Sequence, residues 1–243
     1  LMDATYQPIE MTDFATNLNS LLKNITANTK LIFIANPNNP TGTFLPHQEL
    51  ADFLAKVPPH VIVVIDEAYK EYVTTEPIDA NIPLINSFPN VVITRTFSKI
   101  YGLAGLRIGY AIASPSIISS LEKVKPPFNV NKLALDAAHY CLTQKQAYVE
   151  TSRKINSSGL QFYKEKATQW PVTYLNSSAN FICLLLKHHQ DKDVYDALLK
   201  KGIIIRKLSS FGLPHGIRIT VSNQTENERC AAALNSFFQK TIS

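Results

Sequence analysis

VVITRTFSK, residues 91–99, runs apolar from Val91 to Ile93, continues through Thr94 to Phe97 and ends on Ser98 and Lys99. It is rich in β-branched residues and too short for a helix, which predicts a strand with a polar group at its carboxyl end. Two upstream runs, 31–35 and 61–65, have the same character. Because their apolar residues follow one another without alternation, both faces of each strand are expected to be covered, as in a parallel sheet flanked by helices. Residues 44–57 carry a helical pattern closed by Pro58 and Pro59, giving a strand-helix-strand unit.

Downstream, 107–113 predicts a fourth strand, and Pro115 with Ser116 opens a helix to about residue 123. Helical periodicity then runs from Asn131 through Leu142 and from Gln144 to about Trp170, with Gly159 its only weak point. Strands are expected at 179–186, 202–207 and 217–222, with helices at 194–201 and from Glu226 to about Gln239. The expected fold is α/β: a mostly parallel, helix-flanked sheet in a large domain, 1–143, followed by a smaller α+β domain, 144–243, that begins with a bridging helix.

The 243 residues, 45% of them apolar, can bury a core and divide into two lobes around a cleft. The net charge of +5 and pI near 9.0 are mild, and the basic residues are scattered, which argues against nucleic acid or anionic lipid as a partner. Cys141, Cys183 and Cys230 are odd in number and far apart, so neither a disulfide framework nor a metal site is implied and a reducing cytoplasm is expected. No apolar stretch reaches membrane-spanning length. The chain begins at Leu1 and soon enters a buried-strand pattern, from which a missing N-terminal part is expected.

In open parallel sheets, ligands bind beyond the carboxyl ends of the strands. Here the first run ends in Asn36-Pro37-Asn38-Asn39-Pro40-Thr41-Gly42, the second in Asp66-Glu67-Ala68-Tyr69, and the third in Ser98-Lys99, with Arg107 shortly after. Singly, each has a plain explanation as a turn, a helix cap, a solvated lysine or a structural ion pair. Together, at consecutive strand ends, they point to one site.

These segments resemble the histidinol-phosphate aminotransferase family of fold-type I pyridoxal-phosphate enzymes. The resemblance spans the chain: NPNNPTG at 36–42, DEAY at 66–69, RTFSK at 95–99, LAGLRIGY at 103–110, PPFNVN at 126–131, SANFI at 178–182, and IRITV at 217–221 followed by ENER. It implies pyridoxal 5'-phosphate as cofactor, amino-acid and keto-acid substrates, and a homodimer. Lys99 would hold the cofactor covalently and shuttle the proton, helped by a desolvated site beside cations that lowers a lysine pKa. Asp66 would pair with the pyridinium nitrogen, and Asn39 and Tyr69 with the ring 3'-oxygen. Ser98 and Arg107 would bind the phosphate. Arg218 matches the residue that grips the substrate α-carboxylate, Asn39 is also implied to bind substrate, and Arg206 matches a position near the substrate's distal group.

The family's glycine-containing phosphate loop, its ring-stacking aromatic residue and a tyrosine lent by the neighbouring subunit are expected upstream of Leu1. Ser222 stands where a glycine is usual. The leading expectation is transamination between histidinol phosphate and 2-oxoglutarate in histidine biosynthesis. Alternatives are an aromatic amino acid aminotransferase, a threonine-phosphate-type decarboxylase, and an inactive shortened relative.

Overall fold

The computed structural model describes residues 4–240; residues 1–3 and 241–243, the outermost parts of the two expected domains, lie outside it. Helix α1 (Leu18–Lys23), capped by the Asn17 side chain on Ser20 N, leads into β1 (Leu31–Ala35). Then come α2 (His47–Leu54), β2 (Ile62–Asp66), α3 (Leu84–Ser87), β3 (Val91–Thr96) and β4 (Gly109–Ala113). The sheet order is β1-β2-β3-β4, parallel except for β4. It is the mostly parallel, helix-flanked sheet that the apolar runs predict.

Its core is the face where Ile32, Ile34, Val63, Ile65, Val91 and Ile93 meet Leu50, Phe53 and Leu54 of α2. The expectation that every strand is covered on both faces fails at β1. Leu31 and Phe33 are 47% and 70% exposed, because β1 is an edge strand whose alternate residues face away from that core.

Arg107 also departs from the expected strand. It precedes β4 in the left-handed region at φ 54°, and the ladder with β3 begins only at Gly109 opposite Thr96. Gly109 is required there, since a Cβ would lie 2.7 Å from the Arg95 carbonyl oxygen.

Helices α4 (Pro115–Val124), α5 (Lys132–Gln144) and α6 (Gln146–Ala167) follow. Gly159 is no weak point: a Cβ there would meet Val221 Cγ1 at 2.3 Å, so the glycine lets α6 approach a neighbouring segment closely. The remainder is β5 (Val172–Tyr174), β6 (Phe181–Leu186), α7 (Asp191–Leu199), β7 (Arg206–Lys207), β8 (Gly216–Thr220) and α8 (Gln224–Lys240). The four strands form an antiparallel sheet ordered β5-β6-β8-β7, whose core includes Leu184, Ile217, Ile219, Tyr163, Leu198 and Leu234. Of the strand expected at 202–207 only the last two residues pair, and β5 lies outside every expected strand.

The two sheets are tied through the loop after β1. Ser178 N donates to Gly42 O at 2.8 Å, and Gly42, at φ 79°, sits so close that a Cβ would lie 2.2 Å from Ser177 Oγ. Among the described residues no helix is long and apolar enough to cross a membrane.

Candidate active site

The last rungs of the parallel ladder are Ala35 opposite Asp66 and Asp66 opposite Thr94. Beyond them the three chains diverge and open a cavity of about 400 Å³ lined by Asp66, Ala68, Thr94, Arg95, Thr96, Ser98, Lys99, Ala104 and Arg107. Four of the eight sequence-predicted residues, Asp66, Ser98, Lys99 and Arg107, therefore share one concavity of the size that holds small cofactors. Asp66 Oδ1 accepts from Ala68 N at 3.1 Å, which orients the carboxylate. Thr96 Oγ1 accepts from Ser98 N at 3.1 Å, and Arg107 Nη1 donates to Ala104 O at 2.7 Å. Lys99 is exposed, contrary to the desolvated surroundings expected for it, because its loop projects beyond the strand end.

Tyr69 and Asn39 link this cavity to the second sheet. Lys99 Nζ lies 5.1 Å from the Tyr69 ring centroid, and that buried ring meets Phe181 edge-on at 5.2 Å. Over the other ring sits the Arg218 guanidinium, 4.8 Å from the Phe181 centroid, and Arg218 Nη1 donates to Asn39 Oδ1. Arg218 Nε is buried with no hydrogen-bond partner among the described residues. An unmet guanidinium N–H costs about 1–3 kcal/mol, which an anionic ligand would return. Burial lowers the Arg218 pKa; Tyr69 opposes this, while the charge of Arg206 adds to it.

Arg206 is exposed and stands opposite Arg218 in the β7–β8 ladder. Both line a second cavity of about 600 Å³ with Lys207, Ser209, Ser210 and Tyr195, distinct from that of Lys99. The second sheet thus presents three cations in one hollow.

The sequence reading missed Thr94 and Thr96, although polar residues two apart at a strand end signal one shared face. It also missed the charge buried beneath the site. Arg95 Nε donates to Glu67 Oε2 at 2.8 Å, with the two side chains 4% and 0% exposed, and its remaining nitrogens reach Asp79 Oδ1 and Ile78 O, both at 2.7 Å. Burial opposes the Arg95 charge, but Glu67 together with hydrogen bonds to Asp79 and Glu67 outweighs it and holds the pKa above its ordinary value.

Glu71, 2% exposed nearby, has its carboxyl pushed by burial from 4.5 up to about 7, against the pull of its own backbone hydrogen bond and of Arg95. A carboxyl raised in the folded state binds a proton on folding, so it stabilises below pH 4.5 and that contribution is lost as pH rises towards about 7. Glu71→Gln should remove this dependence, gaining on the order of 2–3 kcal/mol relative to the parent between mildly acidic and mildly alkaline buffer. Urea unfolding at the two pH values reads it.

The aminotransferase class I and II family model matches residues 1–235. Histidinol-phosphate aminotransferase 1 of Nitrosococcus oceani is 44% identical over 227 residues, 93% of this chain and 61% of that protein. The crystal structure of histidinol-phosphate aminotransferase from Sinorhizobium meliloti in complex with pyridoxal-5'-phosphate is 30% identical with a TM-score of 0.85, over 95% of this chain and 63% of the other. That of L-threonine-O-3-phosphate decarboxylase from Porphyromonas gingivalis is 28% identical with a TM-score of 0.80, over 92% and 69%. The chain spans a little over 60% of the length of these two histidinol-phosphate aminotransferases. With the match running from the first residue to residue 235, most of the way along α8, the chain belongs to the aminotransferase class I and II family.

Proposed function

We propose that this chain is part of a pyridoxal-phosphate-dependent aminotransferase that moves an amino group between histidinol phosphate and 2-oxoglutarate. The observation that carries the reading is the single cavity bringing together the amine of Lys99, the carboxylate of Asp66, the hydroxyl of Ser98 and the guanidinium of Arg107. That donor set fits the cofactor: a nucleophile for its carbonyl, an anion for its ring nitrogen, and donors for its phosphate. When bound, pyridoxal phosphate supplies the electron sink for a negative charge at the substrate α-carbon.

The rest is the work of the chain's own groups. Lys99 Nζ would hold the cofactor and, once the substrate amine had released it, would take the proton from the substrate α-carbon, so one amine would serve attachment and acid–base transfer. Asp66 holds the ring nitrogen protonated. Asn39, whose Oδ1 accepts from Arg218, would offer its amide nitrogen to the ring oxygen, together with the Tyr69 hydroxyl. The fork of Arg107 suits a phosphate dianion, with Ser98 beside it. Arg218 grips the α-carboxylate, a role supported by its unpartnered Nε, and the hollow that it shares with Arg206 suits a distal phosphate.

The same reading makes residues 1–143 the cofactor-binding domain and 144–243 the smaller one, supported by the two sheets with separate cores. It gives the protein a second copy of itself as partner, supported by Val124, Phe128 and Leu133 being 77%, 99% and 75% exposed. Nucleic acid and membrane are not partners on this reading, and the cytoplasm, supported by three free cysteines, is its place.

A decarboxylase is the second reading, favoured by the likeness to the threonine-phosphate enzyme. Glutamate added to the cofactor-loaded protein should bleach its visible absorbance, and 2-oxoglutarate should restore it. Absorbance that ignores glutamate, with carbon dioxide released from threonine phosphate, would select the decarboxylase. Arg218→Lys, which loses the two-point contact, should raise the KM for glutamate about 10- to 100-fold, the equivalent of a charge-assisted hydrogen bond of about 1.5–3 kcal/mol.

A further inference from the structure

The parallel ladder ends at Asp66, short of the segments that carry Asn39 and Lys99. Asn36 N donates to Asp66 O at 2.9 Å and Glu67 N to Thr94 O at 2.8 Å; past these rungs, among the described residues, no main-chain pairing links the segments carrying Asn39, Asp66 and Lys99. Side chains take over. The Glu67 carboxylate, paired with Arg95, can only accept, so the Asn81 Nδ2 that meets Glu67 Oε1 at 2.7 Å fixes the amide and turns its oxygen to His47 Nδ1 at 2.9 Å. His47 Nδ1 therefore carries the proton. The backbone N–H of the same histidine donates to Glu76 Oε2 at 3.1 Å, and Glu76 pairs with the buried Lys70. Asn36 holds the loop from the other side, with Leu45 N and O at 2.7 and 2.8 Å.

The network has one foot on each diverging segment: Arg95 three residues before Ser98, Glu67 next to Asp66, and His47 at the exit of the Asn39 loop. All three nitrogens of the Arg95 guanidinium are engaged within the protein. Stability alone does not account for such a pair, because buried ion pairs are commonly no more stabilising than apolar residues of equal volume.

We propose that the hydrogen-bonded chain Arg95–Glu67–Asn81–His47 is a positioning network that sets the distance between Asp66, Lys99 and the Asn39 loop, and so the fit of the site to its cofactor. The inference rests on the proposed function, from which it takes the cofactor. The test titrates pyridoxal phosphate into the protein and follows visible absorbance, its pH profile and circular dichroism. Glu67→Gln keeps the shape and the Asn81 contact but removes the charge. It should keep the parent's circular dichroism, weaken cofactor affinity about 10- to 100-fold and move the pH midpoint of the visible band, with partial recovery in Glu67→Asp. His47→Ala, at the half-exposed end, should weaken affinity in the same direction and serves if Glu67→Gln does not fold. Parent-like affinity and pH midpoint in a folded variant would overturn the network's role while leaving the site intact. A parent that binds no pyridoxal phosphate would overturn the function, and this inference with it.

Discussion

Lys99→Ala should leave the protein folded and take transamination down by at least about 10²–10⁴-fold, the range contributed by a positioned acid–base group. Loss of the covalent anchor comes on top of that. The fold should survive because Lys99 is exposed on a loop, where a substitution changes stability by within about 0.5 kcal/mol. Turnover of glutamate with a keto acid, alongside thermal unfolding, separates the two effects. Added methylamine should recover part of the rate, since the missing group is an amine and the cavity is open. Unchanged turnover would remove Lys99 from the chemistry.

The second large effect is at Asp66. Asp66→Asn preserves an oxygen to accept from Ala68 N, so the strand end keeps its shape while the negative charge is lost. With no anion opposite it, the ring nitrogen is no longer held protonated, and turnover should fall on the order of 10²–10³-fold, as for removal of one preorganised electrostatic partner. Cofactor attachment at Lys99 should persist. That split, retained label with lost turnover, distinguishes a charge effect from a collapsed site, in which both would vanish. Parent-like turnover would mean that Asp66 faces something other than the ring.

Much of this was legible in the sequence because buried parallel strands write themselves as unbroken apolar runs, and topology alone places the residues after each run at the sheet's carboxyl edge. Asp66, Ser98 and Lys99 are brought to one edge by that rule, and Arg107 by its short distance past the third run. Other features depend on contacts that no local pattern encodes. Glu67 and Arg95 stand inside quoted motifs, DEAY and RTFSK, but read as ordinary charged residues there; that they are buried and paired comes from Ile78, Asp79 and Asn81 folding back beneath the strand ends. The left-handed turn at Arg107 and the close approach of Gly109 to Arg95 are likewise tertiary facts. Strand β5 is three residues long, below what periodicity can register, and the exposure of Phe33 reflects which strand lies at the sheet edge rather than its own composition. The contact of Arg218 with Asn39, 179 residues apart, was not legible at all; the family resemblance placed both residues among the substrate-binding positions without joining them.

In the proposed function a lysine, an aspartate and an arginine converge on one bound cofactor. Incubation with pyridoxal phosphate, reduction with borohydride and peptide mapping by mass spectrometry reads that convergence. A single pyridoxyl label on Lys99 is the predicted result; label scattered over surface lysines, with Lys99 unmodified, would contradict it.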